Sequence, residues 1–338
     1  MAAYTTIDNP ELYFQAVIYT GNGGTNAITL PGSENMSPDL VWCAERNDTS
    51  SPKICDTVRG TETVIRPDGT TVEASDSGVV TSFDSDGFTH GADNGINESG
   101  NTNVGWCWVE SATAGFDIVG YDSTTSAKTE SHSLSAVPHF MIIKRRDRGT
   151  NNWPVYHHKN TAAPETDFLR LNTDDATADN ANMFNDTAPT SSVFSVGTGS
   201  EVNDGHTPAS AYIAYLFTEK QGFSKFGSYA GNANADGVFI YTGFKPACFI
   251  CKRADATVVN SWNIFDNKRN TFNETNCFVE ADTSDAEDCA SGGIDFLSNG
   301  IKIKTASARF NQSSSSYVYI AFAEAPLVNS EEVPCNAR

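Results

Sequence analysis

Residues Val104–Glu110 read Val-Gly-Trp-Cys-Trp-Val-Glu. The same cadence returns as Ile213–Glu219 (Ile-Ala-Tyr-Leu-Phe-Thr-Glu) and as Val318–Glu324 (Val-Tyr-Ile-Ala-Phe-Ala-Glu). In the first copy the bulky Val104, Trp106 and Trp108 alternate with Gly105, Cys107 and Val109, and in the second Ile213, Tyr215 and Phe217 hold the bulky positions. Successive side chains of a strand point to opposite faces, so a period of two predicts a strand lining a sandwich core. Three such strands, each ending in Glu, predict duplication.

Working outward, four more landmarks recur in the same order. An opening strand reads Phe14–Tyr19, Phe116–Tyr121 and Phe223–Tyr229. A proline-led apolar run follows at Pro38–Asn47, Pro138–Asp147 and Pro246–Asp255. Next come Ile54–Gly60, Trp153–Asn160 and Trp262–Asn270, and then Thr81–His90, Ser192–Thr198 and Ile294–Thr305. The prolines lie 100 and 108 residues apart and the closing glutamates 109 and 105. That period is the size of a domain and too long for a solenoid unit. Turn pairs such as Asp68-Gly69, Asp86-Gly87, Asn94-Gly95 and Asp204-Gly205 separate the strands. The best helical candidate, Thr173–Asn182, offers one or two turns. The expectation is an all-β chain of tandem β-sandwich units, jelly-roll or lectin-like, in three repeats. The units cover residues 1–113, 114–220 and 221–327, with a tail at 328–338. Each is expected to close its own core, opening near Gly115 and Gly222.

Composition narrows the function. The 338 residues carry 22 Lys plus Arg against 42 Asp plus Glu, a net charge of -20. Nucleic acid and anionic membrane surfaces both need positive charge, so neither is expected as a partner. No apolar run reaches the roughly 20 residues of a membrane span. The opening residues lack the basic segment and apolar core of a signal peptide, which predicts synthesis in a cytoplasm.

The cysteines, histidines and acids are the residues that could carry chemistry. Cys248 and Cys251 form a CxxC pair, but inside an apolar strand with no turn residue, so buried thiols are expected. In the repeats Cys43 aligns with Ile143 and Cys251, Cys55 with Tyr156 and Phe265, and Cys107 with Leu216 and Ala323. Apolar partners predict packing volume and reduced thiols; pairing of Cys277 with Cys289 is the minority reading. His157 and His158 are neighbours on a strand and face opposite ways, and His157 aligns with Asp56 and Asp266 as a strand-end polar position. Asp84 and Asp86 resemble an acid/base or calcium pair, yet a tight turn at Asp86-Gly87 explains them more simply. The loop Asp282–Asp288 lacks the ligand spacing of an EF-hand and reads as solvated. Trp42, Trp106, Trp108, Trp153 and Trp262 read mainly as core, with any sugar-gripping minority unassigned. Glu11–Gln15 resembles a protease site of purification tags but aligns with the repeats and reads as native. No catalytic, cofactor-binding or metal residue is expected, and no cofactor.

Several phrases carry a resemblance that covers about residues 4 to 327. They are YTTIDNPELYFQAVIYTGNGG, CDTVRG, TSFDSDGFTHG and VGWCWVE, then GFSKFGSYAGNANADGVFIYTGFKPA, DFLSNGIKIKT and YIAFAEAPL. The chain resembles a family of phage proteins, frequent in marine phages, whose activity is undefined. That resemblance implies a virion structural protein of the tail-fibre, appendage, spike or capsid-decoration kind. It also implies other virion proteins as partners, homo-oligomers with a trimer first, and host-surface glycan contact. The alternative is a carbohydrate-active depolymerase or a lectin-like module. The middle unit departs from the pattern: its opening turn is Asp122-Ser123-Thr124-Thr125, and its fourth landmark lacks the Asp-Gly corner.

Overall fold

The computed structural model describes residues 4–256 and 261–336. The fold is nearly all β, built of antiparallel sheets with no closed barrel. Three inner sheets share one strand order. The first holds β1 (Phe14–Thr20), β2 (Leu40–Glu45), β3 (Lys53–Asp56) and β4 (Thr102–Trp108), ordered β1-β4-β2-β3. The second repeats it with β5 (Phe116–Asp122), β6 (Phe140–Arg145), β7 (Pro154–His157) and β8 (Ala211–Phe217), ordered β5-β8-β6-β7. In the third, β9 (Ser224–Ala230), β10 (Phe244–Arg253), β11 (Asn263–Asp266) and β12 (Ser316–Pro326) run β9-β12-β10-β11. The Glu-ended segment that opened the sequence reading is the second strand of each sheet, paired on both sides.

Each inner sheet lies against a smaller outer one. In the first unit this holds Asn26–Thr29, Val80–Asp84 and Gly87–His90; in the second, Lys128–Ser131 and Val193–Val196; in the third, Phe239–Tyr241, Ile294–Leu297 and Gly300–Ile303. The alternation along β4 divides its side chains between two interiors. Cys107 joins Cys43, Cys55 and Phe88 between the layers of its own unit, whereas Val104, Trp106 and Trp108 enter a core shared by all three units. The interior within each unit was expected; the shared core was not. Trp108, Phe217 and Phe322 occupy equivalent positions and meet in a triangle, with ring centroids 6.4, 5.6 and 5.8 Å apart. A gap of about 30 Å³ beside them is lined only by apolar side chains, too dry a site for water.

The units close on one another in a ring. Glu73 N–H of the first unit donates to Arg146 O of the second at 2.8 Å. Thr177 N–H of the second donates to Ala254 O of the third at 2.9 Å, and Glu287 N–H of the third to Arg46 O of the first at 2.9 Å. Buried side chains follow the same circuit. Tyr215 donates to Asp56 Oδ2 at 2.7 Å, His157 Nε2 to Tyr319 O at 3.1 Å, and Trp106 Nε1 to Asp266 Oδ2 at 3.1 Å. The crossings between units are tight. Gly115 and Gly222 have φ of 77° and 78°, and a Cβ on Gly115 would stand 2.5 Å from Thr218 O.

Several expectations are corrected. Thr173–Asn182 is not helical: its Thr and Asp side chains bond locally, as Thr173 Oγ1 does to Asp175 Oδ2 at 3.0 Å, and Ala178–Asp179 pairs as a strand. By strand register Cys107 and Leu216 match Ala321, not Ala323. Cys277 and Cys289 form a disulfide. The residues just inside them, Phe278 and Asp288, exchange both backbone hydrogen bonds, which brings the two cysteine Cα atoms to 4.0 Å. The other six cysteines are free.

Candidate functional site

Where one unit meets the next, the closing Glu of the inner strand reaches the opening strand of its neighbour. Glu110 Oε1 accepts from Ile118 N–H at 3.4 Å and Glu219 Oε1 from Phe226 N–H at 3.0 Å. Glu324, at the third seam, pairs instead with Lys245 Nζ at 2.7 Å and accepts from Asn267 Nδ2 at 2.8 Å. These seams share a backbone plan, and their side chains differ.

At the first seam the set is acidic. Glu110 N–H donates to Asp39 Oδ2 at 2.8 Å, and Glu110 lies against Asp117. Burial, then the hydrogen bond with Asp117, pushes the Glu110 carboxyl up to about 7. Val58 packs over Gly120 and covers the joint: a Cβ on Gly120 would touch it at 3.6 Å.

At the second seam His139 takes the place of Asp39 and Lys225 that of Asp117. Glu219 N–H donates to His139 Nδ1 at 2.9 Å, which leaves the His139 proton on Nε2. His158 Nε2 donates to Phe226 O at 2.7 Å, and the two rings meet edge to face with centroids 4.3 Å apart. Burial, then the neighbouring imidazole, lowers His139 to about 4; burial also lowers His158. Glu219 pairs with Lys225 at 3.2 Å. Here the joint is open. A groove of about 480 Å³ is lined by Tyr4, His139, Gln221, Lys225, Tyr241 and Thr242, among others. A second opening of about 390 Å³ lies toward the other end of β9, beside Lys159 and Ser228. A pocket at the third seam measures about 20 Å³.

The residues weighed from sequence mostly serve structure. Asp84 accepts from the Ser82 and Thr89 hydroxyls at 2.8 and 2.7 Å, and Asp86 from Met36 N–H at 3.3 Å, so the two carboxylates brace a hairpin. Cys248 and Cys251 are buried, and burial lifts both thiols, Cys251 to about 12. His157 is buried at the end of β7 and lowered by burial to about 3. All five tryptophans are buried. The loop read as solvated is tied down in part: Asp282 accepts from Trp262 N–H at 2.9 Å, and Glu287 pairs with Arg46 and Arg269 at 2.9 and 3.0 Å. Cys277, Glu287 and Cys289 cluster closely enough to suggest a metal. The disulfide and the arginine pairs leave no ligand atom for one. Lys144 and Lys252 are buried against Trp153 and Trp262 and lowered by burial to about 8, with Nζ on the carbonyls of Asn151 and Thr173.

The sequence reading missed the groove residues Tyr241 and Lys225. A signal was present in the repeats. Ile240 pairs with Ile301 as Ile28 pairs with Phe88, which sets Tyr241 against Thr29 and Phe239 against Ala27. The third unit thus exposes two aromatics, Phe239 at 47% and Tyr241 at 53%, where the first has small residues.

Residues 9–326 match a family described as Domain of unknown function (DUF7483), and the chain belongs to it. None of the curated proteins matches the chain.

Proposed function

We propose that this chain is a non-enzymatic structural protein of a phage particle: part of a tail fibre or other appendage, a spike, or a capsid-surface component. The observation that carries the proposal is the ring closure. Three sandwiches locked by backbone bonds at every seam, around one aromatic core, make a rigid block suited to bearing load or presenting a surface. The phrase-level resemblance to phage proteins supplies the particle. Other virion proteins are the proposed partners. Further copies of the chain belong to the same proposal, with a trimer first. Because the seams are already closed, contacts between copies would use the outer edges, and with a charge of -20 they would bury neutral surface.

Antibody labelling of intact particles tests the location, with discrete density at one site expected. Particles that never carry the protein would overturn the proposal. Light scattering tests the assembly, and a lone 36.3 kDa species with no partner recovered from particles would remove it. A depolymerase reading makes a different forecast: sustained release of reducing ends from host envelope polysaccharide, abolished by Asp84→Asn.

A further inference from the structure

We infer that the groove at the second seam is a binding site for a neutral saccharide, with Tyr241 as its stacking platform. The inference starts from contrast among equivalent places. At the equivalent place in the first seam Asp39, Glu110 and Asp117 crowd together, and the third holds about 20 Å³. The second opens to about 480 Å³, within the range of pockets that hold small ligands. At its mouth, the exposed edge strand Phe239–Tyr241 turns Phe239 and Tyr241 to the same face, with Ile240 buried behind them. Two exposed rings on one strand face suit the apolar faces of sugar rings.

The rest of the lining suits hydroxyls. Gln221, Lys225, the His139 imidazole and the Tyr4 phenol combine donors and acceptors within the groove, and Tyr4 itself donates to Gly243 O at 2.6 Å. Charge selects the class. The Lys225 ammonium is matched by Glu219, and the chain as a whole carries -20, so a polyanion would be repelled. Glu219 is the one carboxylate among the described lining residues, and glycoside hydrolysis ordinarily needs two. The groove is therefore assigned to binding, without turnover. The inference does not require a place on a particle.

Affinity electrophoresis of the full chain provides the test, through gels containing dextran, laminarin, mannan or a galactan, with dextran sulfate as the polyanion. Retardation by at least one neutral polymer is expected, and none by dextran sulfate. Tyr241→Ala should weaken that retardation about tenfold, and Lys225→Ala should weaken it too. Phe272→Ala, which removes a ring 79% exposed elsewhere, should leave it unchanged. Thermal melts would verify that each variant folds. The assignment is overturned if no neutral polymer retards the protein, if dextran sulfate does, or if retardation survives both groove variants. Labelling of particles without retardation would remove the groove and leave the structural role. Retardation without labelling would do the reverse.

Discussion

The first and second seams are built on the same strands in the same register, yet their chemistry is opposite. At the first, Asp39, Glu110 and Asp117 crowd together, and the Glu110 carboxyl is held protonated up to about 7. At the second, His139 stands in the place of Asp39 and Lys225 in the place of Asp117, with Glu219 paired to Lys225 and a neutral His139 packed on His158. The deeper link differs as well. Tyr215 meets a buried, arginine-paired Asp56 across the first seam, whereas a neutral His157 meets a backbone carbonyl across the second. Backbone pairing fixes a seam's geometry and leaves its side chains free to diverge. In this ring the divergence collects at the joints, and one joint has opened.

The hardest test removes the buried charge. Asp56→Ala strips Arg59 of its closer carboxylate, leaving Glu73 at 3.5 Å, and Tyr215 of its acceptor, where Asp56 and Arg59 have no exposure. The expected loss is about 3–5 kcal/mol, as for one half of a buried ion pair. His157→Ala leaves only neutral groups unpaired, and about 1–3 kcal/mol is expected for the lost hydrogen bonds. Denaturant unfolding measures both. Equal losses would mean that the charge at the first seam is not what distinguishes it.

The third seam sharpens the comparison, because a covalent bond lies beside it. The Cys277–Cys289 bridge closes a loop over a sequence separation of 12, and that loop carries the Glu287 that bonds to Arg46. Closing a loop of this size is worth about 3 kcal/mol. Reduction should therefore lower the melting temperature by about 5 °C in a chain of this length. An unchanged melt would return the cysteines to the all-reduced expectation.

The pH response should have opposite signs at the two seams. Glu110 is raised from its ordinary 4.5 to about 7, so the folded state holds a proton the unfolded chain has lost. Its contribution is present in acid and is lost as pH rises through 7. Asp117 and Asp39 are the groups that face it. His139 is lowered from 6.5 to about 4, so its contribution is present above 6.5 and is lost as pH falls toward 4. His158, Glu219, Lys225 and Lys159 face it. Solvent screening holds each effect to about 1 kcal/mol. Asp117→Asn should shrink the fall in stability between about pH 4.5 and 7, so that across this shared window the rise with pH set by His139 stands out. A profile that Asp117→Asn left unchanged across that window would contradict separate control of the two seams.

Strand placement was legible because a period of two over seven residues, repeated three times, leaves little choice of face. The buried thiols followed from the same pattern. The ring was not legible. It is closed by backbone groups of Glu73, Thr177 and Glu287, which sit in loops unlike one another in length and composition. Nor did spacing favour the disulfide, since Phe278 and Asp288 pair only once the third unit has folded around them. His157 read as a strand-end polar residue because its aligned partners are aspartates, and the tertiary acceptor that buries it, Tyr319 O, lies 162 residues away. Tyr241 escaped because aromatics on strands are usually core, and only comparison with Thr29 marks it as exposed.

The smallest effect bears on why one seam is open. Val58 and Lys159 occupy equivalent places, over Gly120 at the first seam and beside Ser228 at the second. Val58 is 46% exposed, so it covers the joint without belonging to the core. Val58→Lys copies the open seam's residue into the closed one. Because half of the valine already faces water, stability should change by no more than about 0.5 kcal/mol, within the ordinary range of surface substitutions. Lysine can still lay its methylene stem along Gly120 while its ammonium reaches solvent. Lys159 borders the opening of about 390 Å³ and not the groove that holds Tyr241, so a gained opening by itself gives no second saccharide-retarding site, and retardation should still fall with Tyr241→Ala. The first seam also lacks the ring, because its neighbouring outer strand belongs to the second unit, where Ser131 faces Val193 as Tyr241 faces Gly300. Adding Ser131→Tyr to Val58→Lys then asks whether a ring and an open joint suffice together. In the Tyr241→Ala background, retardation regained only by the two substitutions together would identify their combination as what sets the second seam apart.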